Sequence, residues 1–227
     1  MRPVDRGAAP GVYVRYQDAA GDLQARLGDF CSYCERQIET NLAVEHIRPK
    51  SQNAALRNEW TNFLLGCVNC NSSKGDNDID VSDFLWPDTD NTLRAFAYNR
   101  GGLISVDPAL TVQLSIKANA TIALLGLDKY PGNDGREPTS ADKRWLRRQE
   151  TWQKAQKCHS ELQVHDTPEF RQIIVDLAIT GGLFSIWWTA FNGDVDMRRR
   201  LREAFNGTAN LCFNAVEELI ARAGGQL

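Results

Sequence analysis

Two cysteine pairs of identical spacing constrain this chain more than any other feature. Cys31-Ser32-Tyr33-Cys34 and Cys67-Val68-Asn69-Cys70 are both C-x2-C turns. Each turn brings two thiolates to one ion, and two turns complete the tetrahedron that Zn²⁺ prefers, with Zn–S about 2.3 Å. Such a set leaves no open coordination position, so the zinc is expected to be structural. Neither pair sits in an apolar stripe, which argues against two unrelated pairs of packing cysteines. The segment Met1–Gly7 leads into no apolar run, which argues against a secretory signal. The expected location is therefore cytoplasmic, where close cysteine pairs point to metal rather than disulfides. The longest uncharged stretch, Leu177 to Gly193, is shorter than the ~20 residues of a membrane span and reads as buried core.

The chain has 227 residues, enough for one large domain or two small ones. Its hydrophobic fraction of 42% is sufficient for a real core and excludes a disordered chain. The net charge of -3 excludes a protein that coats nucleic acid by bulk charge, so any such contact must come from a local patch.

Four segments follow from the turn signals. Residues 1–28 read as a loop and then a helix, with Leu23 and Leu27 one turn apart. Residues 29–80 hold the cysteine pairs and are rich in Asn. Residues 81–138 form a connecting region, with a short strand at Leu103–Val106 and a short helix over 117–127. Residues 139–227 read as helical. There, Thr139 or Ser140 caps a helix to about Leu162, and Thr167-Pro168-Glu169 starts another to about Thr180. Further helices fit 183–191, 194–205 and 209–223. The fold class is thus α+β, mostly α: a zinc knot followed by a helical C-terminal body.

Between and beside the knuckles lies a polar cluster. Glu45-His46 precedes Ile47-Arg48-Pro49-Lys50, Asn62 lies between the knuckles, and Asn71 follows Cys70. Glu45 and Asn71 offer oxygens, which suit a hard cation such as Mg²⁺. His46 is the only histidine of the segment. An imidazole that takes a proton from water, beside a divalent ion, is what phosphodiester hydrolysis requires.

The string resembles the HNH (ββα-metal) endonuclease family in its four-cysteine subclass. The resemblance rests on Cys31-x2-Cys34, Glu45-His46 with Pro49, Trp60-x-Asn62-x-Leu64-Leu65-x-Cys67, and Cys70-Asn71-x2-Lys74-Gly75. It implies a β-hairpin carrying the histidine, then a helix carrying the last family position. On that mapping His46 is the general base and Asn62 holds the hairpin loop. Asn71 stands where the family's final histidine stands, and ligates the catalytic ion with Glu45. The departures are Glu45, often Asp in this subclass, and Asn71 in place of His, which favours Mg²⁺ or Mn²⁺ over softer ions.

Arg48, Lys50 and Lys74 are candidates for phosphate contact, with a solvated surface as the alternative. Arg144, Arg147 and Arg148 share a helix face, so nucleic acid, a partner or solvent could meet them there. Arg198, Arg199, Arg200 and Arg202 spread around a helix and read as solvated. The wider chain, through Trp86-Pro87, Phe96-x-Tyr98-x2-Gly101 and Ala120-Thr121-Ile122-x2-Leu125-Gly126-Leu127, is similar to the small HNH nucleases of Septu- and retron-type bacterial anti-phage systems. That resemblance implies a nuclease acting on nucleic acid, with DNA as the expected target, and a separate ATPase partner. The alternatives are a zinc-stabilised binding module without catalysis, or a nuclease silent until its ATPase partner releases it.

Overall fold

The computed structural model describes residues 1–227. It is an α+β structure with seven α-helices and two antiparallel two-stranded sheets. Helix α1 (Ala20–Leu27) comes first, burying Leu23 and Leu27 as their spacing predicts. Strand β1 (Ala43–His46) pairs with β2 (Phe63–Gly66), Glu45 facing Leu64 and His46 facing Phe63. Every residue of β2 is buried, so this hairpin lies within the core rather than over it. Helix α2 (Val68–Lys74) follows at once, with Cys67 as its N-cap residue.

A second hairpin, β3 (Phe96–Asn99) and β4 (Leu103–Val106), turns at Gly101 and Gly102. The strand at Leu103–Val106 matches the sequence reading, and β3 is its partner. Helix α3 (Val112–Leu125) begins five residues earlier than expected, because Thr111 caps it through Leu114 N. It stops at Gly126, whose left-handed backbone ends the turn. Helix α4 (Arg144–Leu162) starts later than expected: neither Thr139 nor Ser140 caps it, and the Asp142 carboxylate accepts from Arg144 N instead.

Helix α5 (Pro168–Gly181) opens on the predicted Thr167 cap with Pro168 in its first turn. Helices α6 (Phe184–Ala190) and α7 (Val195–Ala204) complete the body. The helix expected over 209–223 does not form. Its place holds a 3₁₀ turn at Asn210–Cys212 and a bridge between Phe213 and Leu219. Asn214 is the reason: its side-chain oxygen accepts from Val216 N and Glu218 N, closing a turn that competes with helix.

The hydrophobic core is continuous from Met1 to Leu227. Buried Trp187 and Trp188 lie in it, while Trp145 and Trp152 are half-buried. No helix is long and apolar enough to cross a membrane. Two polar ties join the N-terminal part of the chain to the helical body. Glu35 accepts from Ser185 N at 2.7 Å and Ser185 Oγ at 2.6 Å, joining the first knuckle to α6. Arg2 donates to Leu27 O at 2.9 Å and Asn206 O at 2.6 Å, joining α1 to the end of α7.

Candidate active site

The knuckles meet as their spacing requires. Cys31 and Cys34 lie in a tight turn closed by Cys31 N to Arg36 O and Glu35 N to Cys31 O. Cys67 and Cys70 occupy the start of α2. All four are buried, and their sulfurs lie within 4.8 Å of one another. The Cys34 and Cys67 sulfurs are 3.7 Å apart. Sulfurs about 2.3 Å from a central zinc would be about 3.8 Å apart, so the quartet fits that ion. Burial pushes the Cys31 and Cys70 thiols up, while a hydrogen bond from Cys31 draws Cys34 down to about 7. A zinc tetrathiolate carries two negative charges, and two guanidiniums face it. Arg36 Nη2 is 3.7 Å from Cys67 Sγ, and Arg144 Nη1 is 3.2 Å from Cys70 Sγ. Cys158 and Cys212 are buried elsewhere and take no part.

Beside this knot, Glu45, His46 and Asn71 border one open cleft of about 520 Å³. The hairpin and α2 bring them there. Gly66 makes room for Glu45: a Cβ at Gly66 would stand 2.9 Å from that of Glu45. The His46 ring packs edge-on against Phe63 and Tyr16, at 5.2 and 4.7 Å between centroids. Its Nε2 is 2.8 Å from Arg57 O. A carbonyl oxygen only accepts, so Nε2 carries the proton and Nδ1 keeps a free lone pair. Burial lowers the His46 pKa below the ordinary imidazole value, against the opposing pull of the Arg57 carbonyl. The ring is therefore neutral at physiological pH and can act as a base.

Glu45 is buried, and burial raises its pKa above the ordinary carboxylate value, with Lys74 pulling the other way. Lys74 Nζ lies 3.0 Å from Glu45 Oε1 and donates to His46 O at 2.8 Å. Oε1 meets no donor other than the Lys74 ammonium. Glu45 and the exposed Asn71 line the same cleft, and their side-chain oxygens are a donor set that suits a hard divalent ion.

Asn62 is not in the cleft. It is buried beneath the chain that leaves His46. Its oxygen accepts from Arg48 N at 2.8 Å, and its amide donates to Arg48 O at 3.0 Å and Leu56 O at 3.3 Å. It thereby braces the loop that carries Arg57.

The structure separates the basic candidates. Lys50 is exposed on the cleft, its Nζ 5.0 Å from the Tyr16 ring centre. Arg48 is half-buried and faces a different cavity. Lys74 is 3% exposed, so the expectation that it touches phosphate is corrected: it neutralises Glu45 instead. Arg144 and Arg148 are corrected likewise, being 2% and 1% exposed. They point inward on α4 and satisfy carbonyls left free where α3 ends. Arg144 donates to Leu125 O and Gly126 O, and Arg148 to Leu127 O. Only Arg147 of that trio is exposed, and it pairs with Glu150 at 2.7 Å. On α7, Arg198 is not simply solvated: it stacks on Trp188 at 4.7 Å.

Sequence reasoning missed Tyr16 and Arg57. Tyr16 lies 30 residues upstream of His46, outside any motif. Arg57 lies in an irregular loop with no spacing rule, although its carbonyl sets the tautomer of His46 and its exposed side chain borders the cleft.

Residues 31–77 match the family model of the HNH endonuclease. The match covers about a fifth of the chain and includes both cysteine pairs, Glu45, His46, Asn62 and Asn71. Comparison of the chain with curated proteins gives no match.

Proposed function

We propose that this chain is a metal-dependent endonuclease of the HNH type, hydrolysing phosphodiester bonds of nucleic acid, with DNA as the expected substrate. The observation that carries the reading is the state of His46. Its Nε2–H is tied to the Arg57 carbonyl, which leaves Nδ1 as the basic nitrogen, and His46 lines the same cleft as Glu45 and Asn71.

In this reading Nδ1 accepts a proton from water as the water oxygen bonds to phosphorus. The P–O3′ bond breaks, and the electron pair leaves with O3′. The Arg57 carbonyl stabilises the imidazolium that forms. Lys50 and the Arg57 guanidinium supply positive charge at the cleft for the phosphate. Glu45 and Asn71 would hold a divalent ion, Mg²⁺ or Mn²⁺, whose chemistry is to offset charge on the phosphate and the departing oxygen. The zinc quartet takes no part in the reaction. It fixes the start of α2, and so Asn71, against the hairpin.

Residues 29–80 are the catalytic core of this reading, and the remaining segments are its support. The resemblance of the wider chain to Septu- and retron-type nucleases supports a role in bacterial anti-phage defence, in the cytoplasm, beside an ATPase partner. Supercoiled plasmid incubated with wild type and with His46→Ala tests the activity. Nicking by wild type only, with Mg²⁺ or Mn²⁺ and not with chelator, is expected. Equal nicking by His46→Ala would remove the base from this histidine.

A further inference from the structure

Residues 7–16 precede α1 as an arm tied to a single loop. Trp60 Nε1 donates to Gly7 O at 2.9 Å, the Tyr13 ring stacks on Trp60 at 5.9 Å, and Asn58 Nδ2 donates to Val14 O at 2.9 Å. Burial of the arm's valines does not hold it, since Val12 and Val14 are 99% and 87% exposed. Its attachments are to the loop that also carries Arg57, whose carbonyl faces His46 Nε2.

Tyr16 ends this arm. Its ring meets the His46 ring at 4.7 Å between centroids, with 72° between their planes. Phe63 meets the same imidazole at 5.2 Å and 88°. The Arg57 carbonyl fixes one point of that imidazole, Nε2, and one hydrogen bond leaves a ring free to swing about its point of attachment. Two aromatic rings set across its plane remove that swing, in the edge-to-face arrangement that such rings prefer. The Tyr16 ring has a second neighbour. Lys50 Nζ lies 5.0 Å from its centre, within reach of a cation–π contact. His46 and Lys50 both line the cleft, so one ring meets two of its groups.

We propose that Tyr16 is a positioning residue for the reaction. Its ring holds the His46 imidazole in the plane in which Nε2 meets the Arg57 carbonyl, and so keeps Nδ1 as the basic nitrogen. It acts through His46 and touches no reacting atom. A catalytic group displaced by about 1 Å costs ~100-fold in rate, so kcat depends on a ring that no motif contains. The contacts are those of the ring, so phenylalanine supplies them as well as tyrosine does. This assignment rests on the reading of His46 as the general base.

The test uses the full chain with its histidines labelled with nitrogen-15. At about pH 8, above the ordinary imidazole value of ~6.5, the ring nitrogen shifts report the tautomer of His46, whether or not the protein cuts. Wild type should show a single Nε2–H tautomer. Tyr16→Leu should show an average of both tautomers, and its kcat on supercoiled plasmid should fall by at least ~10-fold, with zinc content unchanged. Tyr16→Phe should recover the tautomer and the rate. Lys50→Gln should keep the single tautomer, which separates the ring from the ammonium beside it. A Tyr16→Leu chain that keeps the single tautomer, or keeps the wild-type kcat, overturns the positioning role. Loss of the tautomer in Tyr16→Phe or in Lys50→Gln overturns its assignment to the ring. If wild type cuts nothing when Mg²⁺ or Mn²⁺ is supplied, yet Tyr16→Leu loses the tautomer and Tyr16→Phe keeps it, Tyr16 holds the histidine and the nuclease reading fails.

Discussion

Lys74 Nζ stands 3.0 Å from Glu45 Oε1, and both side chains are buried, at 2% and 4% exposure. The same ammonium donates to the carbonyl of His46. One residue of α2 therefore neutralises the carboxylate of β1 and holds the backbone of the adjoining histidine. Both charges are largely withdrawn from water, so each depends on the other.

Removing one partner strands the other in the core. Lys74→Met should destabilise the protein by about 3–5 kcal/mol, the usual cost of a broken buried pair. The double variant Lys74→Met, Glu45→Gln should recover much of that loss, since no bare charge remains. Chemical denaturation of the single and double variants measures both. A single variant as stable as wild type would show that the pair is idle.

The rate of cleavage should fall at acid pH. Burial lowers the His46 pKa, so the active neutral ring persists below the ordinary value of ~6.5 and is lost only as pH falls further. Burial raises Glu45, so its ionised form begins to disappear from above the usual carboxylate range. The lowered His46 pKa places its falling limb on the acid side of ~6.5, with a plateau above it, while the raised Glu45 pKa moves its own limb up from the carboxylate range. A profile of kcat/KM against pH at saturating Mg²⁺ checks this. A half-maximal point at or above pH 7 that persists in Glu45→Gln would contradict the lowered pKa of His46.

The purified protein should carry one zinc ion per chain by elemental analysis, bound by the four cysteines that cluster within 4.8 Å. Cys67→Ser should lose the ion and the cooperative melting of the chain, because the metal-binding energy of such sites is folding energy. Mild chelation followed by Mg²⁺ should restore cleavage, whereas stripping the zinc should not. Full activity in zinc-free protein would overturn the structural role.

Arg144 and Arg147 are three residues apart on α4 and should behave as opposites. Arg144→Ala removes the donor to Leu125 O and Gly126 O and leaves Asp142 unpaired in the interior. A loss of about 3–5 kcal/mol is expected. Arg144→Lys should rescue little, since one ammonium cannot replace the planar fork. Arg147→Ala should change stability by less than about 1 kcal/mol, as exposed pairs do. Thermal melts of the three variants decide the matter.

Asn62→Ala should slow cleavage more than it weakens metal binding. It removes the amide that bonds Arg48 and Leu56, and with it the brace of the loop whose Arg57 carbonyl orients His46. Steady-state rates and Mg²⁺ titrations of the variant separate the two effects. An unchanged rate would detach the loop from the histidine.

Some features were legible because their cause is local. A C-x2-C turn sets two sulfurs side by side by chain geometry alone, so the quartet could be read from spacing. Thr167-Pro168 starts α5 because a hydroxyl cap and a fixed φ act within one turn. Leu103–Val106 is a strand because turn residues bracket a short apolar run. The family resemblance grouped Glu45, His46 and Asn71, and all three line one cleft.

Other features had no local cause. Helical spacing places Arg144, Arg147 and Arg148 near one another on α4, but it does not say which way the face turns. The free carbonyls at the end of α3 drew Arg144 and Arg148 inward, and nothing drew Arg147. Lys74 reads as a surface lysine until the fold places Glu45 against it. The apolar residues of 209–223 suggest helix, yet Asn214 closes a turn on its own backbone first. Tyr16 and Arg57 reach His46 only because distant segments pack there. What the sequence determined alone was the identity and spacing of the chemical groups. Which charges are buried, and which tautomer the histidine holds, depend on partners distant in the chain, and only the tertiary structure decided them.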